Sequence, residues 1–133
     1  MANHPDSIPK NTRGPGYSRA PDHRVAFVPS AQHVVVRIHD KTIADSTDIV
    51  LVEEDSYPRR YYIARSDVDM GVLQKDANGT TYCPFKGLAS YYSATLGDRQ
   101  VDQIAWSYEQ PYRESEAIRD RICFDADKVD QIA

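Results

Sequence analysis

The chain has 133 residues with a formal net charge of -4, 41% hydrophobic residues and 27% charged residues. This length suits one domain with a single core. The acidic balance argues against nucleic acid or an anionic membrane as the main partner, because both attract concentrated positive charge. No apolar stretch approaches the roughly 20 residues that cross a bilayer, and the polar beginning is unlike a secretion signal. We therefore expect a cytoplasmic protein.

The first segment, residues 1–23, is rich in proline and glycine and has few apolar side chains. Such a segment has little surface to bury when it folds. The composition therefore predicts an extended or mobile N-terminal arm. The remaining residues, 24–133, are expected to form a single domain.

Short runs of β-branched residues follow the arm, and turn residues separate them at spacings typical of antiparallel sheet. The predicted strands cover residues 25–28, 34–38, 49–53, 61–63, 80–82, 90–94, 103–108 and 122–124. One short helix is predicted at 115–121, with Ser115 as a possible cap. Parallel strands would need helix-length crossovers. The pattern thus predicts a mainly β fold, a sandwich or open barrel of small antiparallel sheets.

The segment Tyr-Cys-Pro-Phe-Lys-Gly at residues 82–87 places a thiol and an amine in a tight turn between aromatic rings. An amine held in this way suits a carboxylate, phosphate or enolate oxygen, and Lys86 is a candidate catalytic residue. Cys83 is a candidate substrate contact whose thiolate Lys86 could stabilise. The alternative for Cys83 is structural burial, since free cysteine is among the most buried residue types.

Tyrosine is unusually frequent, with nine residues against three phenylalanines. A buried tyrosine brings a hydroxyl group that needs a hydrogen-bond partner, so some of these rings should line a wet pocket and the others should fill the core. The rings assigned to the pocket are those of Tyr61, Tyr62, Tyr91, Trp106 and Tyr108. The Tyr62 hydroxyl is also a candidate for proton transfer.

Candidate acid, base and anion-binding groups lie between residues 53 and 69, near the middle of the chain. Arg65 and Asp67 are two positions apart and would share a face of a strand, as an anion clamp with its partner or as a surface ion pair. Glu53 and Glu54 end an apolar run, and alternation points one of them toward the core. Glu53 is the chosen acid or base, although it could also end the strand in solvent. Asp67 and Asp69 have a spacing that could hold Mg²⁺.

Together these motifs resemble the DUF427 family. The resemblance covers about residues 33 to 130 and rests on the segments 43–46, 61–67, 82–87, 89–92 and 106–108 and on Glu53. It implies a small fold of two antiparallel sheets that meet like a tent, with a pocket between them. The family also carries a nucleotidyltransferase-like label. The chain departs from the family pattern at Ala64, where proline is expected, and at Glu109-Gln110 before Pro111.

The residues favour a cofactor-independent acid/base enzyme, such as an isomerase, cyclase or lyase, on a small organic substrate of a kind that includes aromatic and polyketide-like molecules. Arg65 or Lys86 would hold an anionic or enolate oxygen, while Asp67, Glu53 or a tyrosine hydroxyl moves a proton. This chemistry needs acid and base groups but no cofactor.

Two other functions stay open. One is a non-catalytic module that binds a small molecule or a modified side chain in a cage of aromatic rings. The other is Mg-dependent nucleotidyl or phosphoryl transfer through Asp67, Asp69 and Lys86. We expect no resident metal, because Cys83 and Cys123 lack the second cysteine of a Cys-x-x-Cys pair. Exposed edge strands would allow a homodimer.

Overall fold

The computed structural model describes residues 5–132, and most of its regular structure is antiparallel strand. The strands are Val25–Ser30 (β1), Val34–Ile38 (β2), Lys41–Ser46 (β3), Ile49–Glu54 (β4), Arg60–Ile63 (β5), Leu73–Cys83 (β6), Gly87–Leu96 (β7), Arg99–Pro111 (β8), Cys123–Phe124 (β9) and Gln131–Ile132 (β10). One α-helical turn, Gly16–Arg19 (α1), precedes them. The 3-10 helices are Arg65–Asp67, Met70–Val72, Arg113–Ile118 and Ala126–Lys128.

The strands form three sheets, which we name by their content. Sheet A has the order β1-β4-β5, sheet B has the order β10-β2-β3, and sheet C has the order β6-β7-β8-β9. The predicted mainly β class with small antiparallel sheets is confirmed, and the strands divide among three sheets where two were expected. Between residues 5 and 132 the sheets do not close into a barrel. No helix in that range is long and apolar enough to span a bilayer.

The predicted strands fall at observed ones, but three stretches were missed. Two are β3 and the first half of β6, whose charged and polar side chains hide the alternation that marks a strand. The third is β10, which has only two residues. The predicted helix at 115–121 corresponds to the 3-10 helix Arg113–Ile118. Ser115 is not its cap, because this buried residue lies inside the helix and its hydroxyl is 3.4 Å from the Phe85 carbonyl.

Alternation in β4 separates the side chains of sheet A into two sets. Val50 and Val52 pack in one hydrophobic cluster with Tyr62 of β5 and with Ala89 and Tyr108 of sheet C. The other set, Ile49 and Leu51, packs in the main hydrophobic cluster with side chains of sheet B. Sheet A therefore presents one face to sheet C, and this is where the candidate site lies.

Of the segment expected to be an arm, residues 1–4 lie outside the described residues, and residues 14–23 lie against the turn between β6 and β7. The Gly16 amide donates a hydrogen bond to the Pro84 carbonyl at 3.0 Å. A Cβ atom at Gly16 would lie 2.9 Å from the Phe85 ring, so only glycine allows this approach. The rings of Tyr17 and His23 contact Phe85 with centroids 5.0 and 4.3 Å away. These contacts bring His23 next to sheet A.

Gly87 fixes the start of β7, where φ is +121° and a Cβ atom would lie 2.4 Å from the Gln110 carbonyl oxygen. We predict that Gly87→Ala lowers the free energy of unfolding by more than about 3 kcal/mol, because backbone strain and a steric clash add together. Urea denaturation followed by circular dichroism measures this loss.

Gly97→Ala is the matched control, since Gly97 has φ of +64° but no atom within 4 Å of an added Cβ. Backbone strain alone should cost about 1–2 kcal/mol there. Equal losses in the two variants would contradict the role assigned to the close contact at Gly87.

Candidate functional site

A cavity of about 370 Å³ opens between sheets A and C, and we call it the site cavity. Strands β4 and β5 supply one wall and strands β7 and β8 supply the other. Its polar side chains include those of Glu54, Arg60 and Lys86. Trp106 and Tyr108 give it aromatic walls. The site is therefore an aromatic cleft that contains charged groups.

Strand alternation explains which side chains enter the site cavity. Glu54 is two positions after Val52 in β4, and Val52 pairs with Arg60 of β5. On the opposite wall, Trp106 pairs with Tyr91 of the neighbouring strand. Side chains two positions apart share a face of a strand. The cavity face is thus set by strand register.

A row of three charged or titratable groups crosses the wall of the site cavity. Lys86 Nζ donates a hydrogen bond to Glu54 Oε1, and His23 Nε2 lies 2.8 Å from Glu54 Oε2. The side chains of Lys86, Glu54 and His23 are only 14%, 7% and 19% exposed. A buried carboxylate needs such partners, because an unpaired buried charge is costly. We call these residues the Lys86-Glu54-His23 row.

A second cavity of about 430 Å³ adjoins the first across this row. Glu54 and Lys86 line both cavities, while His23 and Cys83 line only the second. The row therefore forms a shared wall between an aromatic cleft and a hollow that contains a thiol and an imidazole.

Apart from the exposed Tyr57, two polar side chains of the site cavity make no hydrogen bond or ion pair with the described residues. The Arg60 guanidinium lies 5.2 Å from the centre of the Trp106 ring but makes no hydrogen bond or ion pair within residues 5–132. The Tyr108 hydroxyl likewise makes no hydrogen bond in that range, and burial raises the pKa of Tyr108. A protonated hydroxyl and a guanidinium are thus available as donors to a ligand.

The Tyr62 hydroxyl is already used in joining the two sheets. Trp106 Nε1 donates a hydrogen bond to it at 3.0 Å, and Tyr62 is 2% exposed. Burial raises the pKa of Tyr62 well above its ordinary value. These observations assign Tyr62 a structural contact at the cavity wall, and its predicted part in proton transfer stays a prediction.

The structure brings together six of the residues predicted for the site. Lys86, Tyr62, Tyr91, Trp106 and Tyr108 line the site cavity, and Cys83 lines the second cavity. Sequence reasoning located this group because the Tyr-Cys-Pro-Phe-Lys-Gly turn connects β6 to β7, next to the strand that carries the Trp-Ser-Tyr segment.

Four predicted residues lie elsewhere. The Glu53 side chain is exposed, and its Oε2 atom lies 2.6 Å from Arg59 Nη2. Because side chains alternate along a strand, its neighbour Glu54 points into the cavity instead. Tyr61 packs in the main cluster. Arg65 and Asp67 occupy a 3-10 helix rather than a strand. The predicted shared face is therefore absent, and the Asp67 carboxylate accepts a hydrogen bond from Ser46.

Sequence reasoning missed Arg60 and His23, and it chose Glu53 over its neighbour Glu54. Glu54 and Arg60 could have been found from register, because they continue the faces of Val52 and Tyr62. His23 carries no local signal, since it reaches Glu54 only through the packing of residues 5–24. The Asp67 and Asp69 pair suggested for Mg²⁺ does not line either cavity, and Asp69 lies 3.8 Å from Lys41.

Arg65 belongs to a second charged cluster, on sheet C. Its Nη2 lies 2.8 Å from Glu109 Oε2, and Lys75 Nζ lies 2.5 Å from Glu109 Oε1. The Tyr92 hydroxyl also donates to Glu109. Burial alone would raise the pKa of Glu109, but the hydrogen bonds from Lys75, Tyr92 and Arg65 outweigh it and the pKa is lowered. Each charge of this cluster is satisfied within the protein, which indicates a structural role.

The lowered pKa of Glu109 gives a pH prediction. Its contribution to stability is present above its ordinary pKa of 4.5 and is lost as the pH falls through the lower folded value. Glu109→Gln should cost about 1–2 kcal/mol at pH 7, because it weakens the charged hydrogen bonds to Arg65 and to the half-exposed Lys75. This difference from the wild type should shrink below about pH 4.5. Urea denaturation across pH 3–7, with the exposed Glu53→Gln as control, measures it; a constant difference would contradict the assignment.

The two free cysteines should differ in reactivity. Cys83 is partly exposed in the second cavity, whereas Cys123 is 1% exposed and burial raises the pKa of its thiol to about 12. Because the thiolate is the reactive form, iodoacetamide should add one group to the native protein and two after unfolding, as read by mass spectrometry. Cys83→Ser should remove the native adduct, and native labelling of Cys123 would contradict the packing described.

Comparison with protein families gives a match to a domain of unknown function, DUF427, over residues 26–133. Comparison with curated proteins gives no match. The matched region contains both strand walls of the site cavity, Lys86 and Glu54, while His23 precedes it. The resemblance noted in the sequence is confirmed, and the chain belongs to the DUF427 family.

Proposed function

We propose that the protein is a cofactor-independent acid/base enzyme that acts on a small organic molecule spanning the site cavity and the adjoining second cavity. The observation that carries this proposal is the Lys86-Glu54-His23 row, a hydrogen-bonded array of three groups, each less than one-fifth exposed, at the shared wall of two cavities. An ordered proton-transfer group beside an aromatic cleft is what acid/base catalysis on an organic substrate requires.

In this proposal His23 moves the proton and Glu54 orients it. Because Nε2 of the neutral ring would carry the hydrogen bonded to Glu54, Nδ1 would be free to accept a proton. Nδ1 makes no hydrogen bond within residues 5–132, which supports this role. The Glu54 carboxylate would stabilise the imidazolium that forms, as a carboxylate does in other histidine pairs.

Lys86 and Tyr108 would stabilise the substrate. Removal of a proton from carbon beside a carbonyl group leaves an enolate, whose oxygen needs donors already in place. The Lys86 ammonium and the unpartnered Tyr108 hydroxyl line both cavities and could supply them. Return of the proton to another carbon gives an isomerisation. Attack of the enolate carbon on a second carbonyl carbon of the same molecule, with the proton returned to the resulting alkoxide, gives a cyclisation. Loss of a leaving group from the β carbon gives a lyase reaction. None of these outcomes needs a cofactor.

A binding module is the second candidate, and the aromatic walls favour it. The Tyr91 and Trp106 rings lie 6.2 Å apart beside the cavity, which suits a ligand that is held but not converted. We also propose the cytoplasm as the protein's location and a homodimer as a possible assembly. Nucleotidyl transfer has no comparable support, since Asp67 and Asp69 do not line the cavity that contains Lys86.

The test is proton exchange in a panel of 1,3-dicarbonyl compounds and hydroxyaromatic ketones, followed by proton NMR in D₂O. The wild type should accelerate exchange of the acidic C–H of at least one compound that binds. Glu54→Gln and His23→Gln should each lower the rate by about 100-fold or more, because general acid/base catalysis contributes 10²–10⁴-fold. Both variants should still bind the compound.

Glu53→Gln and His33→Gln are the matched controls, because both side chains are exposed and lie outside the two cavities. They should exchange at the wild-type rate. Binding without any accelerated exchange would overturn the enzyme proposal in favour of the binding module. Full activity in Glu54→Gln would overturn the assigned role of the row.

A further inference from the structure

Arg60 is a partly buried charge that lines a cavity without an anionic partner among the described residues. Its backbone position in β5 is fixed by pairing with Val52, and its guanidinium lies over Trp106 at 5.2 Å. Among residues 5–132 no carboxylate forms an ion pair with it. Stacking on an aromatic ring leaves the N–H groups at the edge of a guanidinium free. Arg60 therefore has unused donors inside the site cavity.

The carboxylates of the same cavity are occupied by other groups. Glu54 accepts from Lys86 and His23 on its two oxygens. Asp125 accepts from the Asp127 amide at 3.0 Å, at the start of a 3-10 helix. Among the described residues neither carboxylate forms an ion pair with Arg60, so the guanidinium donors are left for a ligand to satisfy.

The neighbours of Arg60 limit the shape of that ligand. Trp106 and Tyr91 form an aromatic wall beside it, and Tyr108 and Lys86 line the same cavity. A guanidinium binds a carboxylate through two parallel hydrogen bonds in one plane. A flat ring attached to that carboxylate would lie along the aromatic wall. The guanidinium thus selects for a carboxylate, and the aromatic wall selects for a flat ring attached to it.

We infer that Arg60 is the carboxylate-binding residue of the site and that the ligand is a planar aromatic or enolic carboxylate. This inference rests on the proposed function, because it names the substrate class of the same cavity. The carboxylate would bind at Arg60 and the reacting part of the molecule would extend toward Lys86 and Glu54. A neutral compound of the same shape should bind more weakly.

Calorimetry on matched pairs tests this inference: benzoate with benzamide, phenylacetate with phenylacetamide, and 2-naphthoate with 2-naphthamide. The wild type should prefer the carboxylate by at least about tenfold in one or more pairs, because a hydrogen bond to a charged group contributes about 1.5–3 kcal/mol. Trp106 is the single tryptophan of the chain, so its fluorescence should change when the preferred carboxylate binds. If no pair shows a preference, the inference is overturned.

Arg60→Gln should reduce the preference to about one, and Arg59→Gln should preserve it. Arg59 is the matched control, because it is the adjacent arginine but is exposed and paired with Glu53. Thermal unfolding of both variants checks that they are folded. A preference that survives in folded Arg60→Gln would contradict the inference.

The two proposals fail in different ways. If Glu54→Gln and the wild type show equal proton exchange while Arg60 still sets the carboxylate preference, the enzyme proposal falls and the binding site stands. If proton exchange depends on Glu54 but carboxylates and amides bind equally, the ligand class is wrong and the enzyme proposal stands.

Discussion

The hydrogen-bonded contact of one carboxylate, Glu54, with Lys86 and His23 is the interaction on which the site depends. Glu54 belongs to sheet A, Lys86 to the turn between β6 and β7, and His23 to the segment before β1. Desolvation makes a carboxylate that is only 7% exposed unfavourable without partners. The buried charge therefore holds three separate parts of the chain together, and it does so at the wall of both cavities.

The two charged clusters differ in how their charges are satisfied. Around Glu109, each cation and hydroxyl has a partner within the protein, and the cluster joins Arg65 to sheet C. In the site cavity the Arg60 guanidinium and the Tyr108 hydroxyl have no such partner among the described residues. Both groups are accessible from the cavity, because no buried side-chain nitrogen or oxygen among the described residues lacks a hydrogen bond. This contrast is why we assign the cluster around Glu109 to stability and the unpaired groups of the site cavity to ligand binding.

Much of the fold follows from local sequence, but the site does so only in part. Short β-branched runs predicted the strands, and the turn at Lys86 located the cavity, because both signals are local. The choice between Glu53 and Glu54 depended on strand register, which a run of consecutive apolar residues leaves ambiguous. Arg65 and Asp67 form a 3-10 helix that their spacing did not reveal. His23 required long-range packing, for which no sequence pattern exists.

The most direct test of the account is a crystal structure of the protein soaked with 4-bromobenzoate, in which bromine gives an anomalous signal. The account predicts one strong bromine peak in the site cavity, with the carboxylate paired to Arg60 and the ring beside Trp106. A peak elsewhere, with the cavity filled by protein side chains or the guanidinium turned to solvent, would contradict the claim that this cleft is the functional site.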